Sequence, residues 1–119
     1  MSKKILICDD EEGIRESLKL VLSERYDLIL TSGGQGCLET LKNSKDIGLV
    51  LLDVKMPVVG GLDVLAQIQK SYSHIPVIIV SGYQSVEAAN ECTRLGITDY
   101  ISKPFQSVDI LKTVTRNFK

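Results

Sequence analysis

Short runs of apolar residues alternate along this chain with longer stretches in which apolar residues recur every three or four positions. The runs are almost continuous in hydrophobicity and rich in valine, leucine and isoleucine, a pattern typical of strands buried on both faces of a parallel sheet. We predict five strands, the last from a weaker pattern than the others, at residues 5–8, 28–30, 49–52, 77–80 and 99–102.

The stretches between these runs have helical periodicity. The first helix is predicted between residues 11 and 24 from apolar residues spaced i, i+4, i+7 and i+8: Ile14, Leu18, Val21 and Leu22. Three further helices are marked by similarly spaced apolar residues: Cys37, Leu38 and Leu41, then Leu62, Leu65, Ile68 and Tyr72, and last Val108, Leu111, Val114 and Phe118. Residues 84–95 also have a helical pattern, but its apolar face is thin, so we expect this helix to be held loosely.

Strands and helices in strict alternation predict an α/β fold, with a parallel sheet covered by helices on both faces and right-handed crossovers. In open sheets of this kind, ligands bind outside the carboxyl ends of the strands. The chemically active residues at those ends are Asp9 and Asp10 after the first strand, Asp53 after the third, Ser81 after the fourth and Lys103 after the fifth. Carboxylates, a hydroxyl and an ammonium group are therefore expected to meet at one edge of the sheet.

Asp9 and Asp10 open a run of consecutive carboxylates that continues with Glu11 and Glu12. For Glu11 and Glu12 we favour a role as helix-start residues, because the helix dipole stabilises acidic residues there. Helix capping is also the alternative for Asp9 and Asp10. However, Asp53 is expected at the same edge, and carboxylates that share a cleft repel one another unless they are protonated or bind a cation. A site built from oxygen ligands favours Mg²⁺.

Asp53 has two interpretations. An Asx turn would be ordinary for an aspartate followed closely by Pro57 and a pair of glycines. The apolar run before Asp53 places its backbone at the centre of the sheet, however, and a rigidly held carboxylate beside a divalent cation can attack phosphorus. Lys103 and Ser81 have ordinary alternatives as a surface lysine and a turn serine, but their place opposite Asp53 favours a role in the site. Lys103 also precedes Pro104, which permits a cis peptide bond.

Composition narrows the class of protein. The net charge is −1 without a run of basic residues, so nothing indicates binding to nucleic acid or to an anionic membrane, and no apolar stretch has transmembrane length. The cysteines, Cys8, Cys37 and Cys92, form no C-x-x-C pair, which favours buried thiols in a reducing cytoplasm. His74, the single histidine, is predicted in a loop away from the acids, which argues against a Ser-His-Asp triad and against a histidine-ligated metal.

The chain resembles the receiver domain of two-component response regulators, the CheY-like family, over essentially all of residues 1–119. Four segments carry the resemblance, and their order and spacing make it specific: ILICDDEEGIRESL, VLLDVKMPVVGGLDVL, IPVIIVSGY and LGITDYISKPF. The resemblance implies a single cytoplasmic receiver domain with the flavodoxin-like (βα)5 fold. Its doubly wound five-stranded parallel sheet would have the strand order 2-1-3-4-5.

By motif position, the resemblance implies that Asp53 is the phosphoacceptor and that Lys103 and Ser81 contact the phosphoryl group. Tyr100 matches the aromatic switch residue that turns inward when Ser81 moves, although a plain strand aromatic is the alternative. Ser81 stands where threonine is more frequent, which keeps the hydroxyl. Gly82 stands where alanine is usual and leaves room for a phosphoryl donor.

The resemblance further implies a Mg²⁺ site. Asp10 and Asp53 would ligate the ion together with the backbone carbonyl of Lys55, and Asp9 would act mainly through a metal-bound water. Lys55 and Tyr83, which flank the pocket, would tune the rate at which the phosphoryl group is lost.

The implied function is a phosphorylation-activated signalling switch, not an enzyme that turns over external substrates. A sensor histidine kinase or a phosphotransfer protein would supply the phosphoryl group. A downstream effector domain or target protein would bind the surface of the fourth helix, fifth strand and fifth helix, which could also form a homodimer. Direct binding to nucleic acid or to a membrane is not expected of this domain.

Two other classes of function compete with the switch. One is a phosphatase in which Asp9 is the nucleophile and Glu11 the general acid, and the match of Asp53 to the phosphoacceptor argues against it. The other is a receiver-like module that binds partners without phosphorylation, and the intact set of acids argues against that.

Overall fold

Strands and helices alternate in the computed structural model, which describes residues 3–56, 58–82 and 86–118. The strands are β1 (Lys4–Cys8), β2 (Asp27–Thr31), β3 (Ile47–Leu52), β4 (Val77–Ser81) and β5 (Asp99–Ser102). The helices are α1 (Glu12–Leu22), α2 (Gly34–Asn43), α3 (Gly61–Ser71), α4 (Val86–Leu95) and α5 (Ser107–Asn117). All the predicted strands and helices are confirmed, with boundaries that differ by a few residues.

The strands form one parallel sheet in the order β2-β1-β3-β4-β5. This is the order implied by the family resemblance, and it confirms the flavodoxin-like fold. The central strand β3 is buried along its whole length, whereas the edge strand β2 is half-buried over most of its residues. The carboxyl ends of β1 and β3 therefore lie side by side in the middle of the sheet, where the predicted acids follow them.

Two apolar cores pack on opposite faces of the sheet. Successive strand residues point to opposite faces, so a strand covered on both sides needs apolar residues at every position. In β3, Val50 belongs to the core that includes Leu65 of α3. Its neighbour Leu49 belongs to the core that includes Leu18 of α1 and Ile110 of α5. This arrangement explains the continuous hydrophobic runs in the sequence.

The cysteines differ in part from the prediction. Cys8 at the end of β1 and Cys37 in α2 are joined by a disulfide, with their Cα atoms 6.0 Å apart. The prediction of free thiols was wrong for this pair because α2 packs against β1 and brings together residues separated by 29 positions, which the spacing of the cysteines does not reveal. Cys92 in α4 is a buried free thiol, as predicted, and burial raises its pKa.

The helix with the thin apolar face is α4. Cys92 is fully buried in the core beside α3, and Leu95 packs partly against the same core. A loose attachment of this helix stays a prediction. Within the described ranges, every helix is too short or too polar to cross a lipid bilayer.

Candidate functional site

A cavity of about 350 Å³ opens at the carboxyl edge of the sheet. Its lining contains most of the predicted site residues: Asp10, Glu11, Asp53, Lys55, Ser81, Gly82 and Lys103. Asp9 is buried beside it, and one carboxylate oxygen from each of Asp9, Asp10, Glu11 and Asp53 lies within 4.8 Å of the others. We call these four acids together with Lys103 the acid pocket.

Main-chain contacts hold the two buried aspartates in place. The N–H of Asp53 donates to the carbonyl of Cys8 at 2.9 Å, and the N–H of Asp9 donates to the carbonyl of Thr31 at 3.1 Å. Each aspartate thus continues the hydrogen bonding of its strand by one residue. The start of α3 packs closely against the backbone of Asp53. A Cβ atom on Gly61 would lie 2.2 Å from the carbonyl oxygen of Asp53, so this close packing requires a glycine.

Neighbouring N–H groups orient the two carboxylates. Oδ1 of Asp9 accepts a hydrogen bond from the N–H of Glu11 at 2.9 Å, and Oδ1 of Asp53 accepts one from the N–H of Lys55 at 3.0 Å. The other oxygen of each carboxylate, Oδ2, contacts Lys103. The guanidinium group of Arg15 also donates to the carbonyl of Asp9 at 2.8 Å, a contact that the sequence did not predict. The predicted role of the Lys55 carbonyl as a metal ligand stays a prediction.

Lys103 crosses the acid pocket and contacts three of its acids. Its Nζ atom lies 2.9 Å from Oδ2 of Asp9, 3.0 Å from Oε1 of Glu11 and 3.2 Å from Oδ2 of Asp53. The Lys103–Pro104 peptide bond is cis, which the sequence permits. The interpretation of Lys103 as an ordinary surface lysine is therefore wrong, because its side chain is only 11% exposed and lies among the predicted acids.

The charges of the acid pocket do not balance. Burial disfavours the charged form of Lys103, but the carboxylates of Asp9 and Glu11 outweigh it and raise the pKa of the ammonium group. Burial raises the pKa of Asp9, with a smaller contribution from Asp53, even though Lys103 opposes this. Lys103 thus pairs with three of the four clustered carboxylates, and Asp10 has no ion pair among the described residues. These oxygen donors and their excess negative charge fit a hard cation such as Mg²⁺.

Of the two residues predicted to form the switch, Ser81 lies at the cavity and Tyr100 packs against the core. Ser81 is the last residue of β4, is fully buried and lines the cavity, so it belongs to the strand and not to a turn after it. Tyr100 in β5 is half-buried against the core, and burial raises its pKa. The roles of Ser81 and Tyr100 in switching stay predictions. Tyr83 lies outside the described residues.

Glu11 and Glu12 both lie at the start of α1, as predicted, but the side chain of Glu11 makes a further contact that was not predicted. Glu12 is exposed in the first turn of α1, as expected for a helix-start residue. Glu11 occupies the N-cap position of α1 but makes no capping hydrogen bond with its side chain, which contacts Lys103 instead. The prediction missed this contact because it joins residues 92 positions apart. The one indication in the sequence was that Lys103 is expected at the edge where the acids lie.

Comparison with known proteins identifies relatives of this chain. The family model for the response regulator receiver domain matches residues 5–115. Response regulator protein FleR of Pseudomonas aeruginosa is 31% identical over 118 residues, which cover 98% of this chain and 25% of that protein. Response regulator MprA of Mycobacterium ulcerans is 34% identical over 112 residues, which cover 93% of this chain and 48% of that protein. The chain thus spans between a quarter and about half of the length of these relatives.

Solved structures of receiver domains superimpose closely on this chain. A CheY-like response regulator receiver domain protein from Methanospirillum hungatei superimposes with a TM-score of 0.92 at 30% identity, covering 98% of this chain and 93% of that one. A response regulator receiver protein from Pseudomonas putida superimposes with a TM-score of 0.91 at 30% identity, covering 98% of both chains.

Proposed function

The chain belongs to the response regulator receiver domain family, and we propose that it accepts a phosphoryl group on Asp53 and thereby changes conformation. Receiver domains serve phosphorylation-based signalling in two-component systems. The observation that supports Asp53 as the acceptor is its geometry: a carboxylate held rigidly at the centre of the sheet places Oδ2 3.2 Å from the ammonium group of Lys103.

In the proposed reaction, a carboxylate oxygen of Asp53 attacks phosphorus and forms an acyl phosphate. The bond from phosphorus to the donor breaks, and its electron pair leaves with the histidine nitrogen of a kinase or with the acetate of acetyl phosphate. Lys103 and the hydroxyl of Ser81 meet the negative charge on the transferring group. Gly82, which lines the same cavity, leaves room for the donor.

Receiver domains bind Mg²⁺ at an acidic cluster, and the acid pocket provides one. We infer that Asp10, Asp53 and the backbone carbonyl of Lys55 hold the ion, with Asp9 acting through water. Bound there, Mg²⁺ would neutralise part of the negative charge of the four carboxylates. It would also stabilise the negative charge of an incoming phosphoryl group. The exposure of Asp10 leaves the solvent side of the site open to the waters that Mg²⁺ retains.

The phosphoryl group would act as a switch by engaging Ser81 and Lys103. That contact would bias the segment after β4 and the position of Tyr100 toward a second arrangement, as a local charge change shifts a two-state element. Tyr83 and Lys55 would tune the lifetime of the acyl phosphate. The domain would act as a phosphoacceptor with slow self-hydrolysis and not as a turnover enzyme.

The partners follow from the family. Response regulators receive their phosphoryl group from histidine kinases and often carry effector domains. We infer that this chain is phosphorylated in the cytoplasm by a sensor histidine kinase or phosphotransfer protein. The α4-β5-α5 surface would transmit the change to an effector domain or target protein, or to a second copy of the chain. The acid pocket is not suited to nucleic acid, whose phosphates it would repel.

The proposal is tested by incubating the protein with Mg²⁺ and acetyl phosphate and measuring its mass. We expect a labile adduct of about 80 Da, the mass of one phosphoryl group. Asp53→Asn should abolish the adduct because the nucleophilic oxygen is replaced by an amide. Asp63→Asn, which removes an exposed carboxylate in the first turn of α3, is the matched control and should be phosphorylated normally.

Two results would overturn the proposal. An adduct that persists in Asp53→Asn, together with hydrolysis of varied phosphoesters, would support the phosphatase alternative with Asp9 as nucleophile. A folded protein that binds Mg²⁺ but forms no adduct would support the module that binds partners without phosphorylation.

A further inference from the structure

Glu11 has an unusual position for a helix-start residue. Its backbone is extended at the N-cap of α1, with φ −93° and ψ 117°, while its side chain makes no capping bond. The carboxylate extends across the mouth of the cavity, and Oε1 accepts a hydrogen bond from Nζ of Lys103 at 3.0 Å. The ammonium group of Lys103, which we propose contacts the phosphoryl group, is therefore already bound to Glu11. Glu11 is not one of the proposed metal ligands.

The three contacts of Lys103 use its whole donor capacity. An ammonium group has three N–H donors, and the acceptors at Asp9, Glu11 and Asp53 lie 2.9, 3.0 and 3.2 Å away. When Asp53 is phosphorylated, the N–H that it accepted can pass to a phosphoryl oxygen, but a second hydrogen bond from Lys103 to the phosphoryl group requires that Asp9 or Glu11 is displaced. The identity of the displaced acid then affects how readily Asp53 is phosphorylated.

Burial distinguishes the three acids. The side chains of Asp9 and Asp53 are 2% and 3% exposed, whereas that of Glu11 is 61% exposed. A buried carboxylate left without its cation pays a large desolvation penalty, but an exposed one is solvated by water at little cost. Glu11 is thus the acid that Lys103 can release most easily.

We propose that Glu11 is a positioning residue that holds Lys103 before phosphorylation and exchanges it for a phosphoryl oxygen when Asp53 reacts. This inference rests on the proposed function. Glu11 competes with the phosphoryl group for the same ammonium group, and its own charge at the cavity mouth repels an anionic donor. Both effects slow phosphorylation, so Glu11 restrains the switch.

The first test compares initial rates of phosphorylation by acetyl phosphate with Mg²⁺ present. Glu11→Gln should raise the rate about twofold to fivefold, as expected for the loss of one exposed ion pair. Glu12→Gln removes the neighbouring exposed carboxylate of α1 and should leave the rate within about 1.5-fold of wild type. The urea midpoint of each variant verifies that the fold is retained.

A second variant separates competition for Lys103 from simple repulsion. Glu11→Asp keeps the negative charge at the cavity mouth but shortens the side chain by one methylene group, which withdraws it from Lys103. If Glu11 acts by holding Lys103, Glu11→Asp should increase the rate as Glu11→Gln does. A rate equal to that of wild type would contradict the exchange of Lys103 and leave repulsion as the whole effect.

A third measurement does not depend on phosphorylation. In protein free of Mg²⁺ and phosphoryl donor, the side-chain ammonium resonance of Lys103 should shift in Glu11→Gln and remain in place in Glu12→Gln. A resonance that does not respond to Glu11→Gln, with rates equal in both variants, would overturn the inference while leaving Asp53 as the acceptor. Phosphorylation of Asp53→Asn would instead overturn the proposed function, so the two failures are distinguishable.

Discussion

Two clusters of charge lie at opposite edges of the same sheet. At the carboxyl edge, the acid pocket contains four carboxylates, three of which pair with Lys103. At the amino edge, Asp99 at the start of β5 accepts hydrogen bonds from Arg116 at 2.5 Å, from Asn117 at 3.3 Å and from the N–H of Tyr100 at 2.9 Å. We call Asp99 with these donors the amino-edge cluster.

The acid pocket and the amino-edge cluster differ in whether their positive and negative charges balance. Burial works to raise the pKa of Asp99, but Arg116, the Tyr100 N–H and Asn117 outweigh it and hold the pKa below its usual value. Asp9 has the opposite shift, because burial and its acidic neighbour prevail over Lys103. The balanced charges of the amino-edge cluster hold α5 against β5. The excess negative charge of the acid pocket instead favours binding of a cation.

Removing the ammonium group should have the largest effect on stability. Without Mg²⁺ at pH 7, Lys103→Met leaves two nearly buried carboxylates without their cation, so the free energy of unfolding should fall by about 3 kcal/mol. Lys4→Met is the control, since the Lys4–Asp46 pair is 39% and 31% exposed and should contribute under about 1 kcal/mol. Urea denaturation measures both. An equal loss in the two variants would show that the acid pocket does not depend on Lys103.

The second largest effect is expected in the affinity for Mg²⁺, which should depend on the carboxyl edge and not on the amino edge. Asp10→Asn removes a proposed ligand, and we expect the dissociation constant measured by calorimetry to rise at least about tenfold. Asp99→Asn also removes one carboxylate but at the amino edge, and it should leave the affinity unchanged. A similar weakening by Asp99→Asn would mean that overall charge, and not the acid pocket, attracts the ion.

Neutralising one carboxylate should change stability in opposite directions at the two edges. Asp9→Asn relieves repulsion in the metal-free acid pocket and should raise the free energy of unfolding at pH 7 by roughly 0.5 kcal/mol. Asp99→Asn removes an ionic partner of Arg116 and should lower it by about 0.5–1 kcal/mol. Urea titrations that gave the same sign for both variants would contradict the distinction between the clusters.

The smallest effect is the pH dependence of the amino-edge cluster. Because the folded state holds the pKa of Asp99 below its usual value of 3.8, the ionised carboxylate contributes stability above that pH. The contribution is lost as the pH falls through the folded-state pKa. The difference in unfolding free energy between wild type and Asp99→Asn should therefore be constant from pH 7 to about pH 5 and shrink below about pH 4. A difference that grew on acidification would contradict the direction of the shift.

Much of the fold could be predicted because burial on a strand or helix has a local signature. The run from Leu49 to Leu52 is continuous because alternate side chains enter two different cores. The helical spacing of Leu18 and Leu22 likewise marks the buried face of α1. The order of the strands came instead from the family resemblance, since periodicity does not say which strands are neighbours.

The acid pocket could be predicted in part for a similar reason. Carboxyl ends of parallel strands share one edge, so Asp9, Asp53 and Lys103 were expected together, and the structure brings them within hydrogen-bonding distance. Glu11 was assigned a purely local role because its neighbours in the chain are consistent with a helix start. Its contact with Lys103 depends on how α1 is placed against the end of β5.

The sequence by itself determined the strands and helices, the edge at which chemistry collects and the residue types present there, because these depend on periodicity and on residues adjacent in the chain. Only the tertiary structure decided that Lys103 is shared by three acids, that Arg15 holds the carbonyl of Asp9, and that Cys8 lies against Cys37. These contacts require the relative placement of whole helices and strands. That placement is set by packing across the two cores, and a single stretch of sequence does not contain it.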